Sequence, residues 1–276
     1  MKSIKKERVD RVLVSRGFAD SRTRAQSLLM AGKVVVGGER VEKPGALVIP
    51  DAPIEVQGAG NEWVSRGALK LLKALTVFPV SPEDRVCVDI GASTGGFTQV
   101  LLSKGARRVY SVDVGYGQLA WSLRSHEKVV VMERTNARNL QPEDFPEIPD
   151  IAVADASFIS LKLLLPAMDS FLSPMGEAVV LVKPQFEVGK GKVGKGGVVR
   201  SKANHIEVLE NMLAFCSAET SFTPCGLTFS PIKGPMGNIE YLLHLRKAGA
   251  EPSALLSAPS AVEESHCFFT EGRSES

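Results

Sequence analysis

No apolar run in the 276-residue sequence exceeds five residues, the length of Ala178 to Val182. A helix that crosses a bilayer needs about 20, so no transmembrane segment and no membrane partner are expected. The first ten residues carry six charges, which excludes the apolar core of a secretory signal there, and a cytoplasmic protein is expected. Cysteine is scarce: Cys87, Cys216, Cys225 and Cys267 lie scattered with no C-x-x-C pair. That argues against a zinc ribbon, a thioredoxin-type site and a disulfide framework. The four histidines are equally dispersed, so no metal site is expected. Net charge is small too, at +2. With 44% apolar and 23% charged residues, the composition is globular, and the length suits one large domain or a large domain with a small companion.

The small net charge hides an asymmetry. Residues 1–34 hold nine Lys/Arg against three Asp/Glu, residues 251–276 hold one against five, and residues 61–250 are nearly balanced at 21 against 19. One basic end on a near-neutral body suits a polyanionic partner, although a solvated basic helix face gives the same count. Arg8 to Val14 patterns as a short amphipathic helix closed by Gly17, and Ser21 is a candidate N-cap for a second helix ending at Gly32. Strand-like segments at 33–36 and 39–41 flank Gly37 and Gly38, which predicts a hairpin, and short strands follow around 46–49 and 54–56. This order, carried by the run SRTRAQSLLMAGKVVVGGERV, resembles the S4 RNA-binding domain over roughly residues 8–57. The resemblance implies an S4-like module in residues 1–58 whose Arg8, Arg11, Arg22, Arg24 and Lys33 contact phosphates and RNA shape.

The stretch Gly58-Ala-Gly-Asn61 reads as part of a linker over 59–64, and Trp63 beside it is either an anchor on the larger domain or a stacking surface. Strand and helix signals alternate from there, which predicts a mainly parallel sheet with helices on both faces. Strands are expected at 85–90, 108–112, 129–132, 151–154, 178–182 and 239–245, and helices at 67–75, 97–103, 118–123, 161–168 and 203–215. Ligands of such sheets bind beyond the carboxyl ends of the strands.

The first of these strands ends in Asp89-Ile90 and runs into Gly91-Ala-Ser93-Thr-Gly95-Gly96, a glycine-rich turn feeding a helix. Glycines admit a ligand to the backbone, and a helix N-terminus offers free N–H groups. The spacing is not the G-x-G-x-x-G of a dinucleotide site. With Asp113 closing the next strand, positioned for ribose hydroxyls, the pattern resembles the S-adenosyl-L-methionine pocket of Rossmann-like methyltransferases. That resemblance also places Asn136 at an adenine edge. A second glycine-rich run, Gly189 to Gly196, satisfies G-x-x-x-x-G-K but has Gly where a P-loop needs Ser or Thr, so a flexible basic loop beside the site is expected instead.

Four ionisable residues fall on one expected rim. Asp155 closes the fourth strand, Lys183 closes the fifth, Glu240 lies at the start of the last, and Lys70 belongs to the helix before the first. Charges abutting buried strands are costly unless paired, and this set supplies the pairs. The order Lys, Asp, Lys, Glu resembles the tetrad of FtsJ-type RNA ribose 2′-O-methyltransferases. Together with VSRGALKL, DIGASTGGFT, DVGYGQLAWSLR, ERTNAR, ADASFIS, LVKPQFEVGKG and GNIEY, residues 8–246 resemble the hemolysin A (TlyA) family of ribosomal RNA 2′-O-methyltransferases.

The resemblance implies an α/β fold, a Rossmann-like methyltransferase sheet in 65–247 behind the S4-like module. It also implies S-adenosyl-L-methionine as cofactor, with Asp89, Gly91, Ser93, Gly95, Gly96, Asp113, Asn136 and Asp155 at its pocket. Ribosomal RNA or a ribosomal subunit is the implied partner, methylated on cytidine ribose, with Lys70, Asp155, Lys183 and Glu240 catalytic and Lys183 as the base. Arg66, Lys190 and Lys192 join the RNA-binding candidates. The acidic segment 248–276 lies outside the resemblance and is expected to be disordered. Three rivals are weighed: a membrane-lysing toxin, which lacks an insertable segment; a non-catalytic S4 ribosome-binding factor; and an NAD dehydrogenase, which the glycine spacing disfavours.

Overall fold

In the computed structural model, which describes residues 6–19, 21–56, 63–189, 191–248 and 256–271, the basic N-terminal segment folds around its own small core. β1 (Glu7–Arg8) leads into α1 (Val9–Ser15), followed by α2 (Arg22–Met30), β2 (Val34–Val36), β3 (Glu39–Arg40), β4 (Leu47–Val48) and β5 (Ile54–Val56). Val9, Val12 and Leu13 on α1 meet Ala25, Leu28 and Leu29 on α2 and Val34, Val36 and Ile54 on the strands. Ser21 is the N-cap that the sequence predicts, its hydroxyl accepting from the Arg24 N–H at 3.2 Å. The β2–β3 turn places Gly37 and Gly38 at φ +60° and +87°, the primed geometry that matches strand twist in a two-residue hairpin. Residues 57–62, most of the expected linker, lie outside the described residues. Trp63 packs against the core of the larger body, as an anchor does.

The body begins with α3 (Ala68–Val77) and continues β6 (Val86–Ile90), α4 (Gly96–Ser103), β7 (Arg108–Val112), α5 (Trp121–Arg124), β8 (Val129–Met132), β9 (Ile151–Ala154), α6 (Leu165–Phe171), β10 (Glu177–Val182), α7 (Pro184–Glu187), α8 (Lys202–Glu219), β11 (Thr223–Phe229), β12 (Tyr241–Arg246) and α9 (Ala258–Glu271). The strands form one seven-stranded sheet in the order β11-β12-β10-β9-β6-β7-β8, parallel except for β12, which runs against both its neighbours. Central strands covered on both faces read as continuous apolar runs; β9 does so, as does β10 after Glu177, while β6 is interrupted by Asp89 at its next-to-last position. Alternate residues serve opposite layers. Val86, Val88 and Ile90 join the side of α6, α8 and α9, while Cys87 joins the side of α3 and α4. After β6 the sheet grows toward β7, and after β9 toward β10, so the crevice between the ends of β6 and β9 is a topological switch point.

Two expectations need correction. β11 does not figure among the expected strands; it is an edge strand, the position at which a sheet tolerates a proline such as Pro224, and it carries a bulge before Gly226. The segment 248–276 is not disordered throughout. Residues 258–271 form α9, held by burial of Ala258, Ala261, Val262 and Ser265 at helical spacing on the sheet.

Candidate active site

Gly91 sits at φ +79°, and a Cβ placed on it would lie 3.0 Å from the Asp155 carbonyl oxygen. Glycine therefore lets the end of β6 turn sharply while touching the end of β9. The turn is tied down from below. Asp89 is buried, and its Oδ2 accepts from the Thr98 N–H at 2.8 Å and the Thr98 hydroxyl at 2.7 Å. Burial pushes its carboxyl up to about 7, against those two donors. From the side, Asp113 accepts from the Ser93 N–H at 2.8 Å through Oδ2 and from the Gly115 N–H at 2.7 Å through Oδ1. Gly95, at φ +97°, is the N-cap of α4, and Gly96 is its first residue.

The resulting cleft is lined by Asp89, Gly91, Ser93, Gly96 and Asp155, with Ser65 and Gly67 on the wall toward α3. These residues fit S-adenosyl-L-methionine. Asp89 Oδ1 is buried with no hydrogen-bond partner among the described residues, an acceptor waiting for a donor that a ligand supplies. Each Asp113 oxygen uses one lone pair on the loop and keeps another for a ribose hydroxyl. The Asn136 side-chain oxygen accepts from the Arg138 N–H and Nε, both at 3.2 Å, capping the 3₁₀ turn over Ala137–Asn139. Its amide nitrogen remains as a donor for an adenine edge.

The four rim residues meet. Lys70, on the first turn of α3, donates to Asp155 Oδ2 at 2.9 Å and lies 2.7 Å from Glu240 Oε2. Lys183 contacts the other Asp155 oxygen, Oδ1, at 2.6 Å. The cluster is a chain, Glu240–Lys70–Asp155–Lys183, with both lysine side chains more than nine-tenths buried. Burial opposes the charge on Lys70, but Asp155 and Glu240 together outweigh it and hold its pKa above the ordinary lysine value. Burial likewise disfavours the Asp155 anion, and the two lysines reverse that, holding its pKa below the carboxylate norm. Lys70 thus has two carboxylates, whereas Lys183 shares one.

Several residues at the rim escaped sequence reasoning. Lys183 also donates to the Ser157 hydroxyl oxygen at 2.9 Å. Beside it Phe158 stands 90% exposed at φ +64°, its ring 5.4 Å from Phe186; an aromatic between two motif residues is the only signal that could have marked it. The glycine-rich loop before α8 is fastened rather than flexible at its far end. The Val199 N–H donates to Asn238 Oδ1 at 2.9 Å, and Asn238 Nδ2 donates to the Gly197 carbonyl at 2.9 Å. His205 Nε2 lies 3.0 Å from the Val199 carbonyl, which only accepts, so Nε2 carries the hydrogen and Nδ1 accepts from the Tyr241 hydroxyl at 2.7 Å.

The expected RNA-contacting cations divide. Arg8 and Arg22 both donate to the buried carboxylate of Asp10, at 3.0 and 2.9 Å, so part of their job is holding the module together. Arg11, Arg24 and Arg66 are exposed, and Lys33 is half-buried. Lys192 is paired with Glu207 at 2.6 Å, which neutralises one of the two candidate lysines in that loop; the other candidate, Lys190, lies outside the described residues.

The S4 domain family matches residues 7–52 and the FtsJ-like methyltransferase family matches residues 63–247. YqxC of Bacillus subtilis is 51% identical over 246 residues, covering 89% of this chain and 87% of that one. The 16S/23S rRNA (cytidine-2′-O)-methyltransferase TlyA of Mycobacterium tuberculosis is 46% identical over 271 residues, covering 97% and 99%. A solved structure from Streptococcus thermophilus that carries the name hemolysin superposes with a TM-score of 0.76 at 44% identity, over 99% of this chain and all of that one. A glycine turn at the switch point, an acid closing each of the first two strands and an S4 module at the N-terminus therefore belong to one lineage, and the chain is a member of the TlyA family of S4-bearing FtsJ-like methyltransferases.

Proposed function

We propose that the protein methylates a ribose 2′-hydroxyl of cytidine in ribosomal RNA, acting in the cytoplasm on RNA or a ribosomal subunit held by the S4 module, with Lys183 as the base. The observation that carries this reading is the unbroken chain Glu240–Lys70–Asp155–Lys183 beside the cofactor cleft. The M. tuberculosis relative, matched over nearly the whole of both chains, supports the substrate class.

A ribose hydroxyl is a poor nucleophile at neutral pH, so the site must remove its proton and align it. S-adenosyl-L-methionine, when bound, supplies a methyl group already activated on a sulfonium. The protein's own residues do the rest. Asp89, Asp113 and the Gly91–Gly96 turn fix where the cofactor lies. Lys70, paired with two carboxylates, stays charged and holds Asp155 and Glu240 in place. Lys183, at the end of the chain and sharing one carboxylate rather than two, is the group that accepts the 2′ proton. General-base help of this kind is worth about 10²–10⁴ in rate. Phe158 offers an exposed face on which an unpaired base stacks.

The test is a transfer assay with purified protein, labelled S-adenosyl-L-methionine and rRNA from cells lacking the protein, read by nucleoside mass spectrometry. Label in 2′-O-methylcytidine is expected. Label on a base, or on another ribose, overturns the reading.

A further inference from the structure

Lys183 makes one contact that charge pairing does not require. Its Nζ lies 2.6 Å from Asp155 Oδ1 and 2.9 Å from Ser157 Oγ. An amine nitrogen has four tetrahedral directions, and Cε occupies one. Ser157 accepts along a second, in an aligned hydrogen bond, whereas the Asp155 Oδ1 contact is an ion pair outside hydrogen-bond alignment. Charge pairing with Asp155 sets how near the amine sits, and the directional bond to Ser157 sets how it is turned, and so where its remaining directions point.

Ser157 is itself held in place. The backbone after β9 passes through a left-handed residue, Phe158, at φ +64°, which non-glycine residues adopt only where their surroundings demand it. Glu187, four residues beyond Lys183 in α7, accepts from the Ser160 hydroxyl at 2.7 Å and from the Leu161 N–H at 2.8 Å. The segment that carries Lys183 and the segment that carries Ser157 are therefore cross-braced by one carboxylate.

We propose that Ser157 is a positioning residue for methyl transfer: its hydroxyl oxygen, accepting from Lys183, aims the lysine lone pair at the ribose 2′-hydroxyl. The inference rests on the reading of Lys183 as the base. In the step, the 2′ O–H bond breaks as its proton passes to Lys183 Nζ. The 2′-oxygen forms its bond to the methyl carbon while the sulfonium S–C bond breaks, leaving a neutral thioether and an ammonium that pairs with Asp155 and donates to Ser157. The ammonium then loses its proton to water.

The experiment compares full-length wild type, Ser157→Ala, Ser157→Thr and Lys183→Ala in the rRNA transfer assay, with S-adenosylhomocysteine affinity measured by calorimetry. Ser157→Ala is expected to lower kcat about tenfold while KM for rRNA and cofactor-product affinity stay within about twofold, because aim matters in the transition state and not for binding. Ser157→Thr, which keeps the hydroxyl, is expected to recover most of the rate. An unchanged kcat in Ser157→Ala, or a loss that threonine does not recover, overturns the proposal. Lys183→Ala separates the two ideas. If it is inactive while Ser157→Ala is not impaired, the base stands and only the aiming role falls; if it is fully active, both fall.

Discussion

Asp10 in the N-terminal module and Asp155 in the body each bridge two cations, and the difference lies in what is buried. Around Asp10 the acid is inaccessible while the side chains of Arg8 and Arg22 remain 43% and 51% exposed. Arg8 holds the Asp10 carboxyl well below the usual range, with burial opposing and Arg22 and Gln26 assisting. A guanidinium does not shed its proton in proteins, so that arrangement fastens α1 to α2 and carries no acid–base chemistry. Around Asp155 the cations themselves are buried, at 8% and 7% for Lys70 and Lys183, and an ammonium is the cation whose protonation a site can alter. Half-exposed arginines around a buried acid suit a structural tie; buried lysines around a shared acid are the arrangement that the proposed reaction needs.

The sharpest way to break this contrast is to remove the central cation. Lys70→Met leaves Asp155 and Glu240 crowded and short of positive charge, so it is expected to abolish methyl transfer and to lower unfolding free energy by about 3 kcal/mol or more. Denaturant titration checks this; wild-type stability means that the chain of charges is not the keystone. Asp10→Ala is expected to cost about 1–2 kcal/mol, less because its arginines regain water, and to destabilise the S4 module without lowering cofactor affinity. A loss of cofactor binding in that variant would show that the two centres are not separable.

A double charge reversal, Arg11→Glu with Arg24→Glu, is expected to weaken rRNA binding and to reduce the slope of log affinity against log salt by about 1 for each phosphate that is no longer neutralised, with folding unaffected. An unchanged slope removes α1 and α2 from the RNA footprint. The last effect depends on pH and concerns Asp89. Folding raises its pKa from 3.8 to about 7, so the native state holds the proton more tightly. This group's contribution to stability is present in full below about pH 4 and fades as pH climbs toward 7. Asp89→Asn, neutral throughout, is expected to gain on wild type in melting temperature by a few degrees between pH 5 and pH 8. A difference that stays constant with pH contradicts the burial argument.

The parts of the fold legible in the sequence were those where one local pattern has one solution. Buried parallel strands are mostly apolar and tend to end near a charge, so Asp155 after β9 and Lys183 after β10 announced the rim, and Gly91 announced the turn that the ligand cleft requires. Ser21 announced a cap through its own chemistry. What stayed hidden depends on distant partners. Nothing near Arg22 in sequence says that Asp10 claims it, nor near Lys192 that Glu207 does. β11 was masked by Pro224 and Gly226, which only an edge position tolerates, and α9 by a buried stripe of Ala258, Ala261, Val262 and Ser265 too small and too polar to register as apolar periodicity. Ser157 was invisible for a different reason: a serine in a loop has no signature until a lysine is found 2.9 Å away.

The most direct measurement is a map of 2′-O-methyl groups on rRNA from cells that lack this protein and are complemented with either the wild-type chain or Lys183→Ala. A cytidine mark restored by wild type and missing with Lys183→Ala, at equal protein levels, is the predicted result. A mark restored equally by both would contradict the assignment of the buried lysine pair as the reaction centre.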